Sequence, residues 1–534
     1  MTDSSLLGTA TPRQETLAEG PFSDWIVPNY PLRLPEVVAL VATVALWDLA
    51  AYSGLSYWAL ALFLAVAPLL WVFGSPSRDS LRISWMLWAM LAALAVRMVW
   101  LGSPFAVFIG ACLMIAFAMS LANFRPFPPE AFLFTGQSVL GGFVGQLARL
   151  KNKKIKGVSI ETGWRSILIP ACFVAGFSAI FIFANPVIRD RIRLFFEWLS
   201  RFPVSFERFM FWTVSLWVAG GLIRPLVRKP FKNFMERPER DDWLALISVP
   251  FDLFSIARNT LVAVVALFVP YLCFEFYYLW IREIPEGFYY SGYAHQGAFW
   301  LTVALALSTF TLGFIFRGPL LEHPRLELLK KLTWIWCVQN FVLALCVLHR
   351  VEIYIQYNGL SKMRVIALYG ITAVFIGFLL VVWKVLKGMN LLWLLRRDLT
   401  ALFTVCFVYA LTPVDIITTR YNVSEILEGN HAPSVLLSVH PIGPEGIPEL
   451  LPLTEAEEPI IREGAWALLA TSKATLDSED ARDAAFGWKG RQLARERAIG
   501  LLNAYRDRWK ESAEGLDLNF ARQRFDEYAR QWYD

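Results

Sequence analysis

The sequence predicts an all-α, polytopic integral membrane protein with about eleven transmembrane helices and a small helical extramembrane domain at its C-terminal end. Three observations carry this expectation. Apolar stretches about twenty residues long recur across residues 35–417, each cut by a short polar or basic interruption. At about 1.5 Å of rise per residue, roughly twenty residues match a hydrocarbon core about 30 Å thick. The mean hydropathy of +0.46, with 56% apolar residues, exceeds what a soluble domain carries. From about residue 418 onward the character changes: no run is long enough to span, and charges of both signs mix.

In chain order, residues 1–34 form a polar, Pro-containing tail with no basic segment feeding a short apolar core. The first span is therefore expected to direct insertion, without a cleaved signal peptide. Spans are expected near 35–51, 57–73, 83–101, 105–122, 165–184, 209–223, 258–280, 296–316, 332–348, 365–386 and 399–417. Trp58, Trp71, Trp100, Trp164, Trp280 and Trp300 fall near the ends of these runs, where indole rings favour the headgroup region. The Gly-rich stretch 131–147 reads as a re-entrant or interfacial segment or as a further crossing, with Gly141 and Gly145 in a G-x-x-x-G pair. Residues 418–534 are expected to form a compact helical domain, with helices over 480–512 and 516–533.

Orientation follows from the basic loops. Residues 149–165 and 224–240 are rich in Lys and Arg, whereas the turns at 52–56 and 102–104 carry none. The positive-inside rule then places the N-terminus in the cytoplasm and residues 418–534 in the periplasm, for a protein of the cell inner membrane. Residues 186–208, with Arg189, Arg193 and Glu197 away from an apolar face, have the pattern of a helix lying in the interface. A net charge of +5, distributed between spans, gives no nucleic-acid footprint.

The six cysteines lie singly inside apolar runs and the five histidines are widely separated, so no metal site, disulfide or cofactor is expected. No phosphate-binding loop, metalloprotease motif, nucleophile elbow or dinucleotide fingerprint occurs. What remains is polar chemistry in and beside the spans. Asp48, Arg97 and Glu275 are ionisable residues placed inside apolar runs, where a charge costs at least about 2.5–3.5 kcal/mol. Glu275 has aromatic neighbours on both sides and reads as an ion or proton site, a partner of Arg97, or a hydrogen-bond partner of a tyrosine. Gln339 and Asn340 are expected to bond between helices. Two junctions are denser: Tyr293 to Gly297, including His295, and His349 to Arg364. In the second, Arg350, Tyr354 and Tyr357 share one helical face, Gly359 ends the helix and Arg364 begins the next. These groups read either as helix-end anchors or as a cluster that binds an anionic headgroup or a partner.

The segment Arg350-Val-Glu-Ile-Tyr354-Ile-Gln-Tyr357-Asn-Gly359-Leu360-Ser361-Lys-Met-Arg364 resembles the hallmark of a bacterial integral-membrane family filed as a domain of unknown function, of the four-one-five-three / four-one-seven-three type. Ser361 stands where that family usually has Thr. Tyr293-Ala-His-Gln-Gly297 resembles its Tyr-Ala-x-x-Gly, with Ala298 in place of an aromatic. Similar echoes are Ala184-Asn-Pro-Val187, Gly220-Gly-Leu-Ile-Arg224, Arg420-Tyr-Asn422-Val423 and Leu436-Leu-Ser438, together covering roughly residues 165–500. The resemblance implies shared architecture, with a domain after the last span, and no reaction.

The leading expectation is a non-catalytic membrane protein that displays residues 420–534 to a protein partner for signalling, assembly or envelope homeostasis. Two rivals stay open. One is a secondary transporter with Glu275 as coupling site and Arg97 as counter-charge. The other is a membrane enzyme acting on a lipid-linked substrate, with His295, Glu352 or Asp415 as acid or base.

Overall fold

The computed structural model describes residues 15–17, 25–28, 33–52, 54, 56–75, 81–139, 205–225, 227–235, 253–281, 290–316, 323–505 and 517–532. Expectations for the span at 165–184, for Gly141 and Gly145, for all of 149–165 and for most of 186–208 fall outside the described residues. By internal packing the chain divides into two units. The first comprises Met1–Ala95, Gly110–Pro126 and Glu130–Arg237; the second comprises Val96–Ile109, Phe127–Pro129 and Pro238–Asp534.

The first unit begins with two strands, β1 (Glu15–Leu17) and β2 (Trp25–Pro28), paired antiparallel; β2 also pairs with β3 (Val227–Arg228). The expected N-terminal tail thus contributes to a small ribbon, because Trp-Ile-Val supplies residues suited to a pleated surface. Helix α1 (Leu34–Trp47) runs into a π-turn at Asp48–Tyr52 and packs on α2 (Tyr57–Gly74). Glycine makes that approach possible, since a Cβ on Gly74 would sit 2.9 Å from Ala39 Cβ. Helices α3 (Leu81–Trp100) and α4 (Pro104–Leu121) begin and end in different units; residues 128–139 are helical, followed later by α5 (Phe206–Ile223) and α6 (Lys229–Met235). Two buried polar contacts join these helices. Arg224 donates to Glu36 Oε2 at 2.6 Å, and Trp71 Nε1 donates to Thr43 Oγ1 at 3.1 Å.

The second unit holds a membrane bundle: α7 (Leu253–Phe276, continuing as a π-turn at Tyr277–Ile281), α8 (Tyr290–Ile315), α9 (Leu326–Asn358), α10 (Lys362–Lys387) and α11 (Leu391–Leu411). Leu261, Leu305, Leu312, Trp336, Phe378 and Val381 share its apolar core. At about 50 Å the 33-residue α9 is longer than a hydrocarbon core is thick. It extends the expected 332–348 in both directions, because nothing breaks the helix until Gly359. Lys384, 1% exposed, donates to the Gly313 and Phe316 carbonyls at 2.6 and 2.9 Å. A buried cation thereby satisfies acceptors at the end of α8, where the helix dipole favours positive charge.

Seven described helices are long and apolar enough to cross a membrane, or eight if a bent pair counts as one span. The chain is thus a multi-pass, α-helical membrane protein. The expected crossing at 399–417 is that bent pair. Helix α11 begins earlier, at an Asn390 cap whose side chain accepts from Trp393 N at 2.7 Å, and α12 (Val414–Leu427) leaves it at 66°. The break falls at Thr412-Pro413, where proline lacks a donor and disfavours helix in the residue before it.

Beyond α12 follow α13 (Ser434–Val439), a 3-10 turn at Ile447–Glu455, α14 (Pro459–Asp483), a second 3-10 stretch at Ala484–Gly490, α15 (Leu493–Ala504) and α16 (Leu518–Arg530). The expected continuous helix over 480–512 is interrupted at 484–492. Gly487 there has φ +58°, and Gly490 presses against the Asp483 carbonyl so closely that no Cβ fits. Val423, Leu437, Leu450, Leu469, Leu502 and Phe525 form one apolar cluster of these helices. Beside it Gly464 of α14 lies under the Phe525 ring of α16, in the space a Cβ would occupy. Gly464→Val should destabilise this cluster by about 1–3 kcal/mol through overpacking. Thermal unfolding of the purified chain checks it: a lowered midpoint partly restored by adding Phe525→Ala is expected, and an unchanged midpoint contradicts the packing.

Candidate functional site

Of the residues singled out in the sequence, Tyr354, Gly359 and Arg364 meet at the reversal between α9 and α10. Helix α9 must stop at Asn358, because Gly359 has φ +79°, a conformation that side chains resist. Space dictates the same residue: a Cβ at Gly359 would lie 2.6 Å from Asn422 Oδ1 and 2.8 Å from Pro433 Cβ. Ser361 then caps α10, its hydroxyl accepting from Arg364 N at 3.3 Å. The Arg364 side chain turns back and donates to the carbonyls of Asn358, at 2.8 Å, and of Gly359. Its guanidinium lies 3.8 Å from the centroid of the Tyr354 ring. One arginine therefore satisfies carbonyls at the end of the preceding helix while a tyrosine covers its face.

Leu360, between the two helices, has both backbone groups satisfied by a single side chain. Asn422 of α12 accepts from Leu360 N at 2.7 Å and donates to Leu360 O at 3.0 Å. Asn430 donates to Gln356 O at 3.0 Å. Asp415, at the start of α12, pairs with Lys362 at 2.6 Å and accepts from Gly443 N at 3.2 Å. The helices that follow the spans are thus hydrogen-bonded to the α9–α10 reversal.

About two turns before the end of α9 lies a buried ion pair. Arg350 Nε donates to Glu275 Oε1 at 2.6 Å and its Nη2 to Oε2 at 2.8 Å; the residues are 4% and 1% exposed. Tyr271, one turn back on α7, donates to Glu275 at 3.4 Å. Gly297 of α8 lies against the guanidinium, and a Cβ there would overlap Arg350 Nη1. The glycine of the Tyr293–Gly297 motif thus makes room for the arginine of the next motif.

The other intramembrane candidates have different partners. Arg97 binds Glu445, not Glu275, through two bonds of 2.9 and 3.0 Å; Trp100 Nε1 adds a third at 3.1 Å. Asp48, in the first unit, accepts from Arg208 at 3.0 and 2.5 Å and from Trp212 Nε1 at 2.8 Å. Asn340 donates within its own helix to Trp336 O at 2.8 Å, while the expected bond between helices is made by Gln339, to Val265 O at 3.1 Å. Tyr357 is half exposed on α9. Tyr293 and His295 lie in the first turns of α8, and their side chains fall outside the described residues.

Arg350 and Arg364, read in the sequence as anion-binding candidates, are both buried and directed to protein acceptors. Of the proposed acid or base residues, Glu352 pairs with His349 at 3.2 Å and Asp415 with Lys362. Among the described residues no group of His, Cys, Asp and Glu is arranged to hold a metal ion. A cavity of about 400 Å³ lies in the helices after the spans, with Ser438, His440, Thr471, Thr475, Glu479 and Arg522 among its lining. Arg522 is engaged there by the Ser438 carbonyl and by Asp526. Elsewhere in these helices Tyr528 Oη meets His431 Nδ1 at 2.6 Å, and burial raises the phenol above its ordinary value.

Sequence reasoning missed the roles of Asn422 and Glu445. Asn422 stands in the Arg420–Val423 motif without any pattern revealing a backbone partner sixty residues earlier. Glu445 is an acid in a stretch whose Gly and Pro read only as turns between short apolar groups.

A family model described as a domain of unknown function (DUF4153) matches residues 37–452. The match reaches the first span and stops before α14, unlike the 165–500 carried by the motifs. No curated protein and no solved structure matches.

Removing one partner of the buried pair leaves an uncompensated charge, at a cost of about 3–5 kcal/mol, whereas replacing both with apolar groups is near neutral. Glu275→Met or Arg350→Met alone should sharply lower the unfolding midpoint in detergent, and the double substitution should recover most of it. Additive losses in the double variant would contradict a closed pair.

Proposed function

The chain belongs to the DUF4153 family, and we propose that it works as a non-catalytic membrane scaffold whose residues 418–534 form a helical domain displayed to a protein partner. The observation that carries this reading is the use of the motif residues. Arg350, Gly359, Arg364 and Asn422 hold spans and following helices in one register, and their polar atoms face one another rather than a common substrate position. A transporter or enzyme needs a carboxylate or base that can reach a substrate. Glu275 is instead closed by Arg350.

Eleven spans, with a cytoplasmic N-terminus and residues 418–534 in the periplasm of a cell inner membrane, complete the proposal. The charge pattern within the second unit supports this sidedness. Arg258, Arg325, Lys330, Lys331, Lys384, Lys387, Arg396 and Arg397 lie toward the helix ends opposite the α9–α10 reversal. The positive-inside rule places those ends in the cytoplasm and the reversal on the other side. The cavity beside Thr471 and Thr475 is the proposed partner contact.

Quantitative affinity purification from native membranes tests the reading. The full-length protein should enrich a discrete set of proteins over an unrelated multi-pass control. Thr471→Trp combined with Thr475→Trp, which fills the cavity and leaves the junction untouched, should abolish that enrichment. Enrichment undiminished by the filled cavity, or none with the wild type, overturns the proposal.

A further inference from the structure

We infer that the turn at residues 484–493 makes a second membrane contact, its aromatic side chains resting in the headgroup layer of the bilayer that holds the spans. The inference goes beyond the display reading and stands whether or not a protein partner exists; it rests only on the helices being membrane spans.

The sequence of this turn, Ala-Ala-Phe486-Gly-Trp488-Lys489-Gly-Arg491-Gln492-Leu493, carries three large apolar side chains in eight residues. The chain reverses at Gly487, and Phe486 and Trp488 on either side of it are 47% and 48% exposed, with Leu493 at 37%. Leaving such rings in water forgoes the free energy that burying their apolar surface would release. Interfacial membrane contacts favour this composition, aromatic rings beside basic residues, because the ring body is apolar and the headgroup layer is wet and anionic or zwitterionic.

Position supplies the independent argument. Gln492 accepts from the backbone of Gly102 at 3.0 Å, and the Arg497 guanidinium lies 5.8 Å from the Trp100 ring centroid. Gly102 belongs to the short turn between α3, ending at Trp100, and α4, starting at Pro104, and both helices are membrane-spanning by length and composition. Such a turn lies where the hydrocarbon ends. Trp488 is four residues from Gln492, so the exposed rings are tethered to that level. Three of the nearby acids are engaged by arginines: Asp483 and Glu479 pair with the buried Arg495, and Glu496 with Arg491. The bilayer is therefore the occupant this surface fits, with apolar insertion rather than charge as the main contact.

The test uses the full-length chain in phosphatidylcholine nanodiscs, with the photoreactive residue benzoyl-phenylalanine placed at Phe486, at Trp488 or at the exposed Glu457, each preparation first shown to be monodisperse. After irradiation, mass spectrometry reads covalent lipid adducts. Adducts at 486 and 488 several-fold above those at 457 are expected, without any requirement for anionic lipid. Yields equal to those at 457 overturn the inference. Adducts that form only when anionic lipid is added also overturn it, because they assign the contact to Arg482 and Lys489 rather than to the rings.

Discussion

The backbone of Leu360 is the constraint on which the arrangement turns. It lies at the reversal between two membrane helices, beyond the last hydrogen bond of one and before the first of the next. A peptide group left without a partner near hydrocarbon costs several kcal/mol. Asn422 is shaped for this: a carboxamide donates and accepts in one plane and so replaces both missing partners. Because Asn422 belongs to the helix after the last span, meeting the needs of the reversal also fixes where the following helices sit. Gly359 follows from the same requirement, since any side chain there would fill the space the carboxamide and Pro433 occupy.

Around that point the charged residues obey one logic. Buried charges of the second unit have designated partners: Arg350 pairs with Glu275, Glu445 with the partly buried Arg97, and Lys384 and Arg364 donate to carbonyls at helix ends. Buried pairs contribute little net stability, because desolvation offsets their attraction, but they penalise every alternative packing that separates them. A bundle of apolar helices in lipid has little else to set rotation and register, as lipid tails are as apolar as leucine. The Arg350–Glu275 pair therefore specifies how α9 faces α7 and the Lys384 bonds how α10 faces α8, and Gly297 shows that a neighbouring helix is shaped to the same end.

Much of this was legible in the sequence, and the reason is periodicity. Runs of apolar residues announce spans because bilayer thickness imposes a length, and Gly359 announces a helix end because few residues tolerate its conformation. The Arg350-to-Arg364 motif was visible as a cluster at a helix boundary. Partner choice was not visible. Arg97 and Glu275 are both charges inside apolar runs, and pairing them is the economical guess from one dimension. Their true partners, Glu445 and Arg350, depend on which helix ends come together. Helix limits failed for similar local reasons: Pro413 broke a run that hydropathy alone joins, and Gly487 with Gly490 divided a segment whose composition reads as continuous helix.

Amide hydrogen exchange on the full-length chain, comparing wild type with Asn422→Leu, tests the central claim most directly. Loss of both Asn422 bonds should raise exchange at residues 359–361 and, together with them, across Ser434–Val439, by about tenfold for each 1.4 kcal/mol removed, while the middle of α10 stays protected. Unchanged exchange in both segments would mean that Asn422 does not join the spans to the helices that follow.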